Sequence, residues 1–313
     1  MIALGLVPVA ASVMLALASG SLSRHLAPAT AVPLLTLLAL ATSLATGLVL
    51  CLAAFGAVAQ LPFLADRAGW SSGVLAPGNL EPSWGVVPGA VAGALLTAAL
   101  VFTVRAALDL ARADRACRQL GGPDRLVITH DDRPTAYSVP TRAGAIVVST
   151  GMLRRLSAQE RRALLAHEDS HLRHRHALYV LLADLAAAAN PLLRPLAGRV
   201  RLAVELQADE DAAAETGDRR MVARALARAS LAASGAGPGP RGSLAMAQTD
   251  ACARIRALTE PRRRRRSWAV AAALALILAS STTALTMTWA MHQRVEAAQL
   301  AYAEAHGFPL DQG

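Results

Sequence analysis

Apolar residues in this chain come in long blocks separated by short polar breaks. Four blocks are long enough to cross a bilayer as a helix, which takes about 20 residues. They run from Ile2 to about Gly20, from Val32 to about Ala59, from Val86 to Val104 and from Trp268 to about Met291. Ala16-Leu17-Ala18 looks like a signal cleavage site, but no positive segment precedes it, so the first block reads as an uncleaved span. Between the third and fourth blocks the pattern changes. Arg125–Ile128 and Ala145–Ser149 are β-branched runs bounded by Gly, Pro and Asp, and predict short strands. The prolines of Pro134–Pro140 restrict that stretch to a sheet edge or an extended loop. Ser157-Ala158-Gln159-Glu160 fits a capping box, which predicts a helix from near Ala158 to about His174. A second apolar helix, Ala177–Ala189, stops at Asn190-Pro191; it is short for a crossing but can lean on a bilayer. A third is expected over Pro195–Glu215, and Ser234–Ser243 is a Gly/Pro-rich linker.

Composition agrees with the block pattern. Hydrophobic residues make up 54% of the chain and aromatics 4%, too apolar for an ordinary soluble surface. There is no lysine. From Arg105 to Arg266 there are 28 Arg against 17 acids, a net of +11, whereas the remainder has 3 Arg against 5 acids, a net of −2. That asymmetry predicts outside termini and a cytoplasmic segment from about 105 to 267. Arg262–Arg266, placed against the fourth block, reads as an anchor to anionic lipid. Acids interleaved through the basic segment argue against direct nucleic-acid binding. The expected division is three spans over 1–107, a peptidase-like domain over 108–267, a fourth span over 268–291 and a short extracytoplasmic tail over 292–313. Cys51, Cys117 and Cys252 lack zinc-ligand spacing and read as structural.

The candidate chemistry sits on the capped helix. In His167-Glu168-Asp169-Ser170-His171 the two imidazoles are four residues apart, on one helix face, so both can reach one ion. Glu168 stands beside the first of them, where a carboxylate can take a proton from an activated water. On the third helix Glu205 and Asp209 also share a face. Glu205 lies among Leu202, Ala203, Val204 and Leu206, where a carboxylate is costly unless paired or metal-bound, so it is the candidate third ligand. Asp209 can accept the N–H of a ligand histidine. His174 and His176 read as surface residues.

The stretch from Pro134 to Asp211 resembles the BlaR/MecR-type membrane metallopeptidases, and more distantly the HtpX-type ones. The residues that carry the resemblance are His167, Glu168 and His171, then Glu205-x-x-Ala208-Asp209, with Asn190-Pro191 between. Three spans before the domain and one after it match the BlaR/MecR layout better. The resemblance implies zinc held by His167, His171 and Glu205, with Glu168 as general base and acid and Asp209 behind the ligands. It also makes Ala145, Ile146, Val147 and Val148 an edge strand to which an extended peptide substrate adds. The residue that stabilises the developing oxyanion stays open among His174, His176, Tyr137 and several arginines. An S-x-x-K acylation motif cannot occur without lysine, so β-lactam sensing by this chain is not expected.

The expectation is an α-helical integral membrane protein of four transmembrane helices, with an inserted zincin-like α+β metallopeptidase domain that uses one zinc ion. Its partners would be a protein or peptide substrate and the lipid bilayer. Alternatives are an HtpX-like quality-control protease and a non-catalytic signalling scaffold. Nothing in the pattern fixes an oligomeric state.

Overall fold

A computed structural model describes residues 7–75, 86–119, 125–140, 144–234, 251–260 and 267–307. The arginine run 262–266, most of the linker 234–243 and Glu81 lie outside the described residues. Among the described residues, four helices are long and apolar enough to cross a membrane. These are α1 (Val7–His25), α2 (Pro28–Val58), α5 (Val86–Gln119) and α12 (Ser267–His306). Two short helices, α3 (Pro62–Ala68) and α4 (Ser72–Leu75), fill the connection after α2. Pro28 stands in the first turn of α2, where its missing N–H costs nothing. Gly69 ends α3 in the left-handed region, at φ 69°.

The fourth helix departs from expectation. Residues 292–306 continue α12 as helix. Ala298 is fully buried and clusters with Ala59 and Leu75, with Trp70 and Val295 packed against them. The apolar side chains beyond Met291 thus have a surface to cover, and the helix runs on to His306.

The strands β1 (Leu126–Thr129), β2 (Ala136–Val139) and β3 (Ala145–Ser149) form one sheet in the order β1-β3-β2. β1 pairs parallel to β3, with Leu126 opposite Ile146, and β2 pairs antiparallel to it, with Tyr137 opposite Val147. This corrects the reading of Ala145, Ile146, Val147 and Val148 as a substrate-pairing edge. All five β3 residues are buried, and the strand is hydrogen-bonded on both sides. Burial along the whole strand is what a central position gives; β1, at the edge, alternates between exposed and half-buried residues instead. The edge beside the helices is β2, within the proline-bounded stretch.

Helices α6 (Thr150–Arg155), α7 (Ala158–Arg173), α8 (His176–Ala189), α9 (Arg194–Thr216), α10 (Arg219–Ser234) and α11 (251–259) follow the sheet. Packing crosses the division at residue 107. Ala183, Ala186, Leu193, Leu196, Ala197 and Val200 belong to one buried cluster with Leu15, Leu22, Val32, Leu35 and Leu38 of the first two spans. At the tip of the α8–α9 hairpin, Asn190 is 3% exposed. Its Nδ2 donates to Ser12 Oγ at 2.8 Å and to Thr46 Oγ1 at 3.3 Å. The Arg199 guanidinium lies over Gly20. Helices α1 and α9 therefore run side by side in one direction. Continued in step, that register brings Glu205 to about the level of Leu26, at the α1–α2 turn.

Candidate active site

Two helices of different character meet at the site. The first, α7, starts in a complete capping box: Ser157 Oγ accepts the Glu160 N–H, and Glu160 Oε2 accepts the Ser157 N–H at 2.9 Å. Glu160 also takes a hydrogen bond from Arg228 of α10 at 2.9 Å. The second, α9, emerges from the span cluster and brings Glu205 and Asp209 to face α7.

The structure brings His167, His171 and Glu205 together, with one ligand atom from each within 4.8 Å of the others. The two Nε2 atoms are 3.1 Å apart. Glu205 Oε2 is 3.5 Å from His167 Nε2, and Oε1 is 3.7 Å from His171 Nε2. Both imidazoles thus turn the same nitrogen toward the carboxylate. On the far side His167 Nδ1 is 3.0 Å from Asp209 Oδ1, and Asp209 is buried to 2%. Glu168 is buried at 7% exposure and lines the same cleft, of about 530 Å³. Ser138 of β2 lines the cleft with it.

Electrostatics separate the two imidazoles. Burial disfavours a charged His167, but hydrogen bonds to Asp209 and Glu205 outweigh it and raise its pKa to about 9. His171 is lowered to about 4, first by burial and then by the neighbouring His167. Burial opposes ionisation of Glu205 too, yet His167 and Arg254 hold its pKa at about 2. Glu168 moves up, chiefly through desolvation.

Arg254, on α11, was not singled out from the sequence. Its Nε and Nη2 donate to Asp209 Oδ2 and Oδ1 at 2.8 and 2.7 Å, and Nη1 lies 2.9 Å from Glu205 Oε2. No spacing could have found it, because it lies 45 residues beyond Asp209 and across the linker. The planar fork matches a carboxylate bidentately, so Arg254 aligns both acids of α9. Among the other open candidates, Tyr137 lines the cleft and is half exposed. His174 is exposed and bonds Asp211 Oδ2 at 2.9 Å. His176 is not the surface residue expected: it is 1% exposed and packs under His171. The turn between α7 and α8 directs it inward.

Residues 105–194 match the family model described as Peptidase family M48. A protein named Protease HtpX homolog from Acidiphilium cryptum is 35% identical over 92 residues, covering 28% of this chain and 32% of the relative. One from Paraburkholderia phytofirmans is 31% identical over 147 residues, covering 36% and 51%. One from Aeropyrum pernix is 33% identical over 87 residues, covering 27% of each. The chain thus spans between about a quarter and a half of the length of these curated relatives. No solved structure matches it. The similarity is thus to M48 peptidases over part of the chain, and it does not single out the BlaR/MecR type.

Proposed function

We propose that this chain is a membrane-embedded zinc metalloendopeptidase, with His167, His171 and Glu205 as ligands and Glu168 as the general base and acid. The observation that carries this reading is the convergence of two Nε2 atoms and one carboxylate, with a buried Glu168 beside them. The donor set fits zinc: two imidazoles and a carboxylate are the ligands of a three-residue catalytic site, which keeps a fourth position open. The chemistry zinc supplies in such a site is Lewis-acid polarisation of a carbonyl and acidification of water.

The chain's own residues do the rest. Asp209 accepts the Nδ1–H of His167 and so leaves its Nε2 lone pair for the ion. Glu168, made a better proton acceptor by burial, takes the proton of the attacking water and delivers it to the departing amine. An extended substrate segment adds along β2, whose Ala136, Tyr137 and Ser138 line the cleft and whose other edge is taken by β3. Glu205 stands near the level of the α1–α2 turn, so the scissile bond is presented close to the bilayer surface. The charge asymmetry supports a cytoplasmic face for the site, with both termini outside. Similarity to proteins named Protease HtpX homolog is compatible both with a quality-control protease and with a regulator that cuts a cytosolic repressor.

The test is Glu168→Gln in the full chain. Proteolysis of a membrane-protein substrate should fall to background while one zinc per chain is retained. A variant as active as wild type would reject the role of Glu168, and wild-type protein without zinc would favour the scaffold.

A further inference from the structure

We infer that His176 is a positioning residue for the second histidine ligand: its Nδ1 accepts the Nδ1–H of His171 and thereby turns the His171 Nε2 lone pair toward the ion. This rests on the zinc-site reading above and deepens it. Metal-ligating histidines are usually oriented by an acceptor on the other ring nitrogen, and His167 has one in Asp209. For His171 the corresponding place is held by an imidazole, with the two Nδ1 atoms 3.0 Å apart. Only one of them can carry the proton of that bond. Since His171 turns Nε2 toward Glu205, its own proton belongs on Nδ1, and His176 must be the acceptor. His176 then carries its proton on Nε2. That atom is fully buried with no partner at hydrogen-bonding geometry, and the buried Gln207 amide is the neighbour whose carbonyl can take it.

The backbone gives an independent reason. In an unbroken helix, residues five apart point about 140° away from each other, so position 176 would face away from His171. The chain instead breaks after Arg173 and reverses at Arg175, the one non-glycine residue with positive φ among those described, at φ 53° and ψ 41°. A left-handed conformation at a residue with a Cβ is strained and persists only where its surroundings hold it. This turn brings His176 back beneath the helix it has just left. The ring lies edge-on to His171, with centroids 5.0 Å apart, and stacks on His174 at 5.6 Å. An imidazole used only for filling would not need an Nδ1 aimed at Nδ1.

The test uses the full chain in detergent micelles, with zinc affinity read by chelator competition and the ligand field by Co²⁺ absorption. His176→Phe fills the space without an acceptor and should weaken zinc binding about 10- to 100-fold, with an altered Co²⁺ spectrum. His176→Asn places an amide oxygen near the lost Nδ1 and should restore most of the affinity and the wild-type spectrum. Equal affinity in His176→Phe and wild type would overturn the inference, as would an Asn variant no better than the Phe variant. Should His176→Phe fail to fold, the Asn variant decides alone: wild-type affinity and spectrum support an acceptor at this place, and their loss overturns it. A wild-type chain that binds no zinc would instead reject the metal site itself.

Discussion

The two helices that build the site are held in place by opposite means. Helix α7 begins in a cap made by its own sequence, in which Ser157 and Glu160 satisfy each other's backbone N–H groups. Helix α9 has no side-chain cap bond at its start. It begins inside the span cluster, where Leu196, Ala197 and Val200 are at most 2% exposed, and Asn190 just ahead of it bonds to two different spans. One helix is placed by local hydrogen bonding and the other by long-range apolar burial. The ligand set exists only where those two determinants agree, so the site depends on the membrane bundle even though no candidate ligand comes from a span.

The largest effect should come where both determinants are intact and only the donor is removed. Glu205→Ala takes away one of three ligands and should weaken zinc binding by about 100-fold or more, beyond the loss typical for an outer partner. The Glu205 side chain is a third exposed, and Arg254 keeps its two bonds to Asp209. The unfolding midpoint of the metal-free protein should therefore stay near wild type. Zinc held at wild-type affinity in this variant would remove Glu205 from the site.

The contrast also explains what the sequence made legible. The α7 helix could be read because a cap is a four-residue signal, and the two histidines on it could be paired by helix period alone. Glu205 and Asp209 could be paired with each other for the same reason. Their approach to α7 could be read from the apolar neighbours of Glu205 and from resemblance, but its cause could not, because it lies in burial against α1 and α2, far away in sequence. Arg254 and the inward turn of His176 escaped: the first arrives across a linker, and the second depends on one left-handed residue in a helical pattern that carries no glycine to announce it. The sheet order escaped as well. Resemblance points to an edge at Ala145–Val148, although the unbroken apolar character of that run already describes a strand buried on both faces.

A smaller effect on the site, but a clear one on the fold, is expected from Leu196→Ala. The side chain is fully buried in the span cluster. Its truncation should cost about 2–4 kcal/mol in the unfolding free energy measured in micelles, by lost packing and the cavity left behind. The fraction that stays folded should bind zinc as wild type does. If zinc affinity fell in step with stability, the anchoring and chemical halves of α9 would not be separable.

The smallest effect tests the local determinant. Glu160 is buried at 5% exposure; burial alone would raise its pKa, but hydrogen bonds from Ser157 and the Arg228 cation hold it below the usual carboxylate value. A carboxyl whose folded pKa is depressed stabilises the fold above its unfolded pKa, and that contribution is lost as pH falls through the folded value. Glu160→Gln keeps an acceptor for the Ser157 N–H and loses only the charge, so it should cost at most about 1 kcal/mol at neutral pH. Most of this belongs to the cap, since Arg228 is largely exposed and its ion pair is worth little. The gap between variant and wild type should close as pH drops below about 4.3. Zinc affinity measured at neutral pH should hardly change, because a loss of this size leaves α7, which carries His167 and His171, folded, and α9 with Glu205 is positioned without help from this cap. A gap that stayed constant into the acid range would mean that the Glu160 side chain acts by shape rather than by charge, and that α7 too is held chiefly by packing.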